Sequence, residues 1–360
     1  MNKLKLLATT ALIAAGFAGA SLAEGITVLS WGGSYEKSQV EAYAKPFTAA
    51  TGVPVKTDSA DNPAAPIKAQ VEAGNVTYDV VDVEYADGIR LCDEGLLEEI
   101  DPAILKPAPD GTPAAEDFLP GALTDCFVAT IVFSTAYAYD ETKFPDAKPT
   151  TIQDFFDTAK FPGKRGMRKG AKVNLEMALM ADGVPPEKVY ETLGTPEGVD
   201  QAFKKLDTIK KDMIWWEAGA QPPQMLADGE VVMATAYNGR FFAAAVTEKK
   251  PFKVVFDGQV YEFDGYVIPK GAPNLELAKQ YLAFATQTQQ LADQAKYIAY
   301  GPARKSSAPL VGLFEDGVTE MGPHMPTAPE NLVRALPSSV EFWVDHDTEL
   351  NERFNSWLAN

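Results

Sequence analysis

Apolar and polar positions come in short blocks along this chain, and the blocks switch between a strand-like and a helix-like period. Residues 26–30 form an apolar run that predicts a first strand. The run stops at Trp31-Gly32-Gly33-Ser34-Tyr35. The glycines permit a sharp turn, and Ser34 is placed to cap a helix over 35–50, with Gly52 just past its end. A second strand is predicted over 54–59, a helix over 65–73 and a third strand over 78–83. Glu84 and Tyr85 sit where that strand stops, before a helix over 86–94. Strand–helix alternation of this kind gives a parallel or mixed sheet with helices on its faces. Ligands gather beyond the carboxyl ends of such strands, which makes Trp31, Tyr35, Glu84 and Tyr85 candidate site residues; singly, each is as well explained as a loop or core residue.

The pattern then repeats. Residues 102–120, rich in Pro, Ala, Gly and Asp, read as a surface loop. Residues 127–139 form a β-rich run longer than an ordinary strand, which a strand crossing from one domain into another would explain. A helix (151–159), a strand (165–169), further helices (174–181, 199–211), a strand at Trp215-Trp216, a helical segment (221–227) and a strand (231–237) make a second alternation, hence a second α/β domain. Residues 252–263 suggest a hairpin turning at Asp257-Gly258. A long amphipathic helix over 274–298 is expected to pack back on the first domain and to end at Tyr300-Gly301-Pro302. The tail is Pro-rich to Pro337 and helical in its last turns. Within this half, residues 215–264 concentrate the most suggestive chemistry: aromatic faces at Trp216 and Tyr237, the guanidinium of Arg240 and the carboxylate of Asp264, each near the end of an apolar run. Adjacent residues on a strand face opposite ways, so at most one of Trp215 and Trp216 can reach a ligand.

The ends and the composition narrow the class. Lys3 and Lys5, the apolar stretch 6–20 and Ser21-Leu22-Ala23 have the form of a cleaved signal peptide spanning 1–23. No later run approaches the roughly 18 apolar residues of a membrane span, so an exported, soluble protein, in a bacterial periplasm, is expected. A formal net charge of −18 argues against nucleic acid and anionic lipid as partners; it would favour a cation mildly, or mean no more than a soluble acidic surface. Cys92 and Cys126 read as a disulfide in an oxidising compartment, the alternative being two buried free thiols. The chain has two histidines and lacks a phosphate loop, a Gly-x-Ser-x-Gly elbow and a His-Glu-x-x-His helix. No catalytic residue, metal site or cofactor is therefore expected; Asp79, Asp82, Glu98 and Glu99 count as a solvated acidic face.

In order and spacing, several stretches resemble the solute-binding proteins of bacterial ABC importers, in the spermidine/putrescine-binding branch: Ser30-Trp31, residues 78–81 leading to Tyr85, Met177-Ala178-Leu179, residues 224–230, Tyr237-Asn238-Gly239, and Asp264 with Ile268-Pro269. The resemblance implies an α/β, type II periplasmic binding protein fold of two lobes with mixed sheets flanked by helices and a ligand cleft between them. On the predicted elements, lobe I comprises 24–132 with 265–305 and lobe II 133–264 with 306–360. It implies a monomer that meets an inner-membrane ABC permease and carries a small amine. By position Trp31, Tyr85, Tyr237 and Tyr300 match the aromatic wall of the relatives, and Asp264 matches the carboxylate that grips an amine.

The chain departs from polyamine binders in two places. Gly170 and Val173 stand where those carry acids, and Arg240 follows Asn238-Gly239 where they have a small residue. A guanidinium facing the cleft repels a second ammonium and offers a fork to a carboxylate. Arg240 and Asp264 together would therefore suit a zwitterion with separated charges, an ω-amino acid of the γ-aminobutyrate kind. The alternative is that Arg240 and Asp264 pair with each other or with Glu262, and a polyamine is held by Glu84. A secreted transferase or hydrolase, and a binding protein serving a sensory receptor, are the readings from other classes.

Overall fold

The computed structural model describes residues 25–359, so the segment assigned to a signal peptide lies outside the described residues. Ten strands form one sheet: β1 (Ile26–Ser30), β2 (Val55–Ser59), β3 (Val80–Glu84), β4 (Val128–Asp140), β5 (Arg165–Arg168), β6 (Met213–Trp216), β7 (Met233–Tyr237), β8 (Phe252–Val267), β9 (Gly301–Pro302) and β10 (Leu336–Pro337). The main path runs β2-β1-β3-β8-β4-β7-β5-β6. Its two ends are parallel, with β1 between β2 and β3, and β5 between β6 and β7. Between them β8 and β4 run antiparallel to each other and to their outer neighbours. The parallel ends are the two strand–helix alternations of the sequence, and β4 and β8 are the strands that join them.

Every residue of the 13-residue β4 is buried, because it serves the cores of both halves. Ile26, Val28, Val80 and Val81 pack with Phe127, Tyr266, Tyr281 and Leu282 in one core. Tyr137, Ile152, Phe155, Met177 and Leu179 pack in another, which the C-terminal helix Val340–Ala359 completes with Trp343, Leu350 and Phe354. A small third group lies where the halves meet: Tyr35, Ile131, Phe133, Ile298 and Tyr300, with Trp31 and Tyr237 packed against it. The Cys92–Cys126 disulfide ties the helix Tyr85–Asp93 to the start of β4.

Local expectations differ from the fold at four points. Residues 252–263 are not a hairpin but part of the 16-residue β8. The register steps from Thr135↔Val260 to Tyr137↔Val255, so the chain bulges outward and then continues. Gly258 supplies the left-handed backbone of the bulge at φ 74°, and Asp257 is held outside the ladder by Ile152 N and Arg334. The long C-terminal-half helix is two, Leu275–Ala285 and Thr288–Gln294, interrupted where buried Thr286 turns its hydroxyl back to Leu282 O and Gln287 becomes extended. The first helix begins at Gly33 with Gly32, not Ser34, at the cap, and passes through a π turn at Val40–Ala44. The helix expected over 199–211 runs Pro196–Asp207, capped by Thr195.

Candidate functional site

The carboxyl ends of β1, β3 and β7 converge on the meeting point of the two halves. The loop after β1 places Gly32 and Gly33 at φ 68° and 61°, a backbone that brings the Trp31 and Gly32 carbonyls towards Arg240. A Cβ on Gly33 would sit 2.4 Å from Arg240 Nη1. On the opposite wall β7 ends at Tyr237 and turns directly into the short helix Asn238–Phe242. Asn238 fixes that turn: its Oδ1 accepts from Ser134 N, and its Nδ2 donates to Ala299 O, one residue before Tyr300. Gly239 is needed for the same contact, since a Cβ there would lie 2.6 Å from Ile298 and Tyr300.

A small cavity results, lined by Trp31, Tyr35, Glu84, Ile131, Phe133, Tyr237, Arg240, Asp264 and Tyr300. Its rings meet edge to face, Tyr35 with Tyr300 at 5.4 Å and Phe133 with Tyr237 at 5.5 Å between centroids, a preferred arrangement that makes the wall rigid.

The charges are arranged unevenly. Arg240 is 4% exposed. It donates from Nη1 to Gly32 O at 2.7 Å and from Nη2 to Trp31 O at 3.2 Å, leaves Nε without a partner, and forms no ion pair among the described residues. The Trp31 indole N–H is likewise buried and unpartnered. Across the cavity, Asp264 and Asp82 are 5% and 0% exposed, with no cation against either. Gln39 donates to Asp82 Oδ2 and receives the Ser30 hydroxyl. Oδ1 of each carboxyl and the Tyr35 hydroxyl find no partner outside this trio. Burial pushes Asp264 well above the usual carboxylate range, and the Asp82 charge pushes it further. Burial also lifts Asp82, to about 6, against the contacts from Asp264, Gln39 and Tyr35. Burial thus holds both carboxyls towards the neutral form.

Two residues along the same strands the picture reverses. Arg168 Nη1 donates to Glu84 Oε1 at 2.9 Å, and Lys172 Nζ bridges Glu84 Oε2 at 3.1 Å and Glu262 Oε2 at 2.7 Å. Burial works against the Glu84 charge, but Lys172 and Arg168 outweigh it and hold this carboxyl down at about 2. Burial raises Glu262 to about 7, Lys172 opposing and Glu84 adding to the rise.

Seven of the nine residues singled out in the sequence surround one cavity: Trp31, Tyr35, Glu84, Tyr237, Arg240, Asp264 and Tyr300. Tyr85 and Trp216 do not line it. Tyr85 packs on Phe127 and Phe263, because it opens a helix whose inner side faces the first core. Trp216 is buried behind the wall, its ring edge-on to Tyr237 and its N–H donated to Thr235 O at 3.0 Å; Trp215 turns the other way, onto Phe354 and Trp357. Arg240 and Asp264 are paired neither with each other nor with Glu262. Sequence reasoning took Asp79 and Asp82 for part of a solvated acidic face, whereas both are buried, and it passed over Phe133, Arg168 and Lys172. Asp82 carried a usable signal, since it lies two residues from Glu84 and so shares its face of β3; the two basic residues carried none. Among the described residues no group of His, Cys, Asp and Glu could hold a metal ion, and no helix is long and apolar enough to cross a membrane.

The pattern of bacterial extracellular solute-binding proteins matches residues 42–327. The chain belongs to that family. It is 46% identical to the gamma-aminobutyric acid-binding protein of Pseudomonas aeruginosa over 345 residues, covering 95% of this chain and 94% of the relative. Among solved structures, MotA from A. tumefaciens B6 in complex with glucopine is 32% identical with a TM-score of 0.83, covering 93% of this chain and 99% of that one. The Atu4243 GABA receptor is also 32% identical, with a TM-score of 0.78 over 94% and 98%. The mixed α/β, two-lobed architecture is thus that of the periplasmic binding proteins.

Proposed function

We propose that this chain is the solute-binding component of an ABC importer in the periplasm, and that its ligand is an ω-amino acid of the γ-aminobutyrate kind. The observation that carries the reading is the pairing of opposite needs across one buried cavity. Arg240 is a desolvated cation without an anion, and Asp82–Asp264 is a desolvated acid pair without a cation. An unpaired charge in a closed site costs several kcal/mol, and a zwitterion with separated ends relieves both. The ligand carboxylate would take Arg240 Nε and the Trp31 N–H. Its ammonium would take Asp264, expelling the proton held there, and its methylenes would lie against Tyr35, Phe133, Tyr237 and Tyr300. The close relationship to a gamma-aminobutyric acid-binding protein supports the same ligand.

A polyamine fits less well. Glu84, the carboxylate needed for its far ammonium, is already held by Arg168 and Lys172, and Arg240 would repel it. We assign closure to the lobes 24–132 with 265–305 and 133–264 with 306–360, the Arg240 bonds to the Trp31–Gly32 carbonyls spanning the cleft between them. Calorimetric titration of the purified chain with γ-aminobutyrate, putrescine and spermidine tests the reading. Binding of γ-aminobutyrate alone is the expected result; tight putrescine binding with every ω-amino acid silent overturns it.

A further inference from the structure

Asp82 and Glu84 share one face of β3, and Glu262 and Asp264 share one face of β8. In the antiparallel register Glu84 lies opposite Asp264, so all four carboxyl groups form a single stripe. On the far side of β8, Ile131 and Phe133 of β4 lie opposite Asp264 and Glu262 and continue the same surface. One half of the stripe has no cation and opens on the cavity described above, with Asp264 Oδ1 buried and unpartnered. The other half opens on an adjoining cavity that shares Glu84 and Tyr237 with the first and is lined also by Arg168, Lys172 and Glu262. There the Lys172 ammonium touches both carboxylates at once.

We infer that Lys172 is a built-in ammonium: it fills the place on the Glu84–Glu262 half of the stripe that the second ammonium of a diamine would take, and so sets the protein against diamines. The inference rests on the proposal that the cavity takes an amine-bearing solute, and adds to it the residue that rejects the doubly charged members of that class. The local backbone is bent to this purpose. Val173, the residue after Lys172, holds φ at 72°, a conformation that is costly for a β-branched side chain. The Asn174 side chain fixes the strained loop by donating to Arg168 O at 2.6 Å and Gly170 O at 2.8 Å, and Asn351 accepts from Ala171 N. The loop thus delivers a cation to two acids that would otherwise face an empty, polar cavity. Arg168 pairs with Glu84 and lies over the Tyr237 ring, and makes no ion pair with Glu262 among the described residues, so without Lys172 the stripe carries an uncompensated carboxyl at Glu262 and a free oxygen at Glu84, within reach of a ligand gripped at Asp264.

Titration of wild-type, K172M, K172A and K172R chains with putrescine and γ-aminobutyrate tests this. Wild type and K172R are expected to bind γ-aminobutyrate and exclude putrescine, while K172M and K172A gain putrescine affinity by at least about tenfold, the scale of one recovered charge pair. Where Met or Ala prevents folding, K172Q, which keeps a donor between the two carboxylates, is expected to show the same gain. Folded variants that keep γ-aminobutyrate binding without any gain for putrescine overturn the inference. Wild-type protein that binds no ω-amino acid overturns the functional proposal instead, a separate outcome of the same experiment.

Discussion

The two ends of the carboxylate stripe contain the same chemistry in opposite states. At Glu84 and Glu262 the chain supplies its own cations, and the acids are neutralised within the fold. At Asp82 and Asp264 it supplies none among the described residues, and burial holds both acids towards the neutral form. Both ends are buried, so burial by itself does not tell a structural charge from a binding one; the presence of an internal counter-ion does. On the reading proposed above, the compensated pair serves exclusion, whereas the uncompensated one marks where a ligand charge belongs. Arg240 obeys the same rule with the opposite sign: it donates to two carbonyl oxygens and has no anion against it among the described residues.

The sharpest way to break the contrast is to neutralise its open end. Asp264→Asn should weaken γ-aminobutyrate binding by on the order of 3 kcal/mol, the range for truncating one partner of a buried charged contact, read by calorimetry; a drop below threefold would place the ammonium elsewhere. Arg240→Ala should cost at least about 2 kcal/mol, part of it from the lost bonds to the Trp31 and Gly32 carbonyls, and unchanged affinity would mean that the carboxylate does not meet this side chain.

The pH dependence separates Glu84 from the other three acids by sign. A carboxyl whose folded pKa is raised contributes stability that is complete below its unfolded value and disappears as pH rises through the folded one. Asp264 and Asp82 are of this kind, so binding an ammonium must expel a proton. Affinity should therefore rise with pH, from below the Asp82 value of about 6 upward, by up to about tenfold per unit while one proton is released. Titration in buffers of different ionisation enthalpy would detect that proton. Glu84 behaves oppositely: its stabilising contribution is present above the ordinary glutamate range and fades only as pH falls towards about 2. The smallest effect belongs to the residues outside the cavity. Trp216→Phe, which removes one hydrogen bond behind Tyr237, should alter affinity by less than about 1 kcal/mol, and Tyr85→Phe should leave the calorimetric affinity unchanged.

Two α/β units, the first of their joining strands and several strand ends that border the cavity were legible in the amino-acid sequence. Periodicity is a local property, and a ligand cleft at strand carboxyl ends follows from topology. Trp31 and Tyr35 were singled out for that reason, and Tyr237, Arg240 and Asp264 because each stands near the end of an apolar run and at a position where the family resemblance places or contrasts a ligand contact. What the sequence could not decide was which charges cancel. Lys172 lies 90 residues from Glu262, and 88 from Glu84, in the chain, and no local pattern distinguishes a lysine that folds back onto two acids from one in solvent. The bulge at Asp257-Gly258 was mistaken for a turn because φ > 0 at glycine serves both, and only pairing with β4 selects between them. Trp216 and Tyr85 carried ligand-like chemistry in the right segment, yet a rotation about one strand and the first turn of one helix placed their rings in packing. Local sequence thus determined the elements and the kinds of chemistry available. Tertiary structure alone decided which buried charges are left without a counter-ion, because that depends on distances between residues remote in the chain.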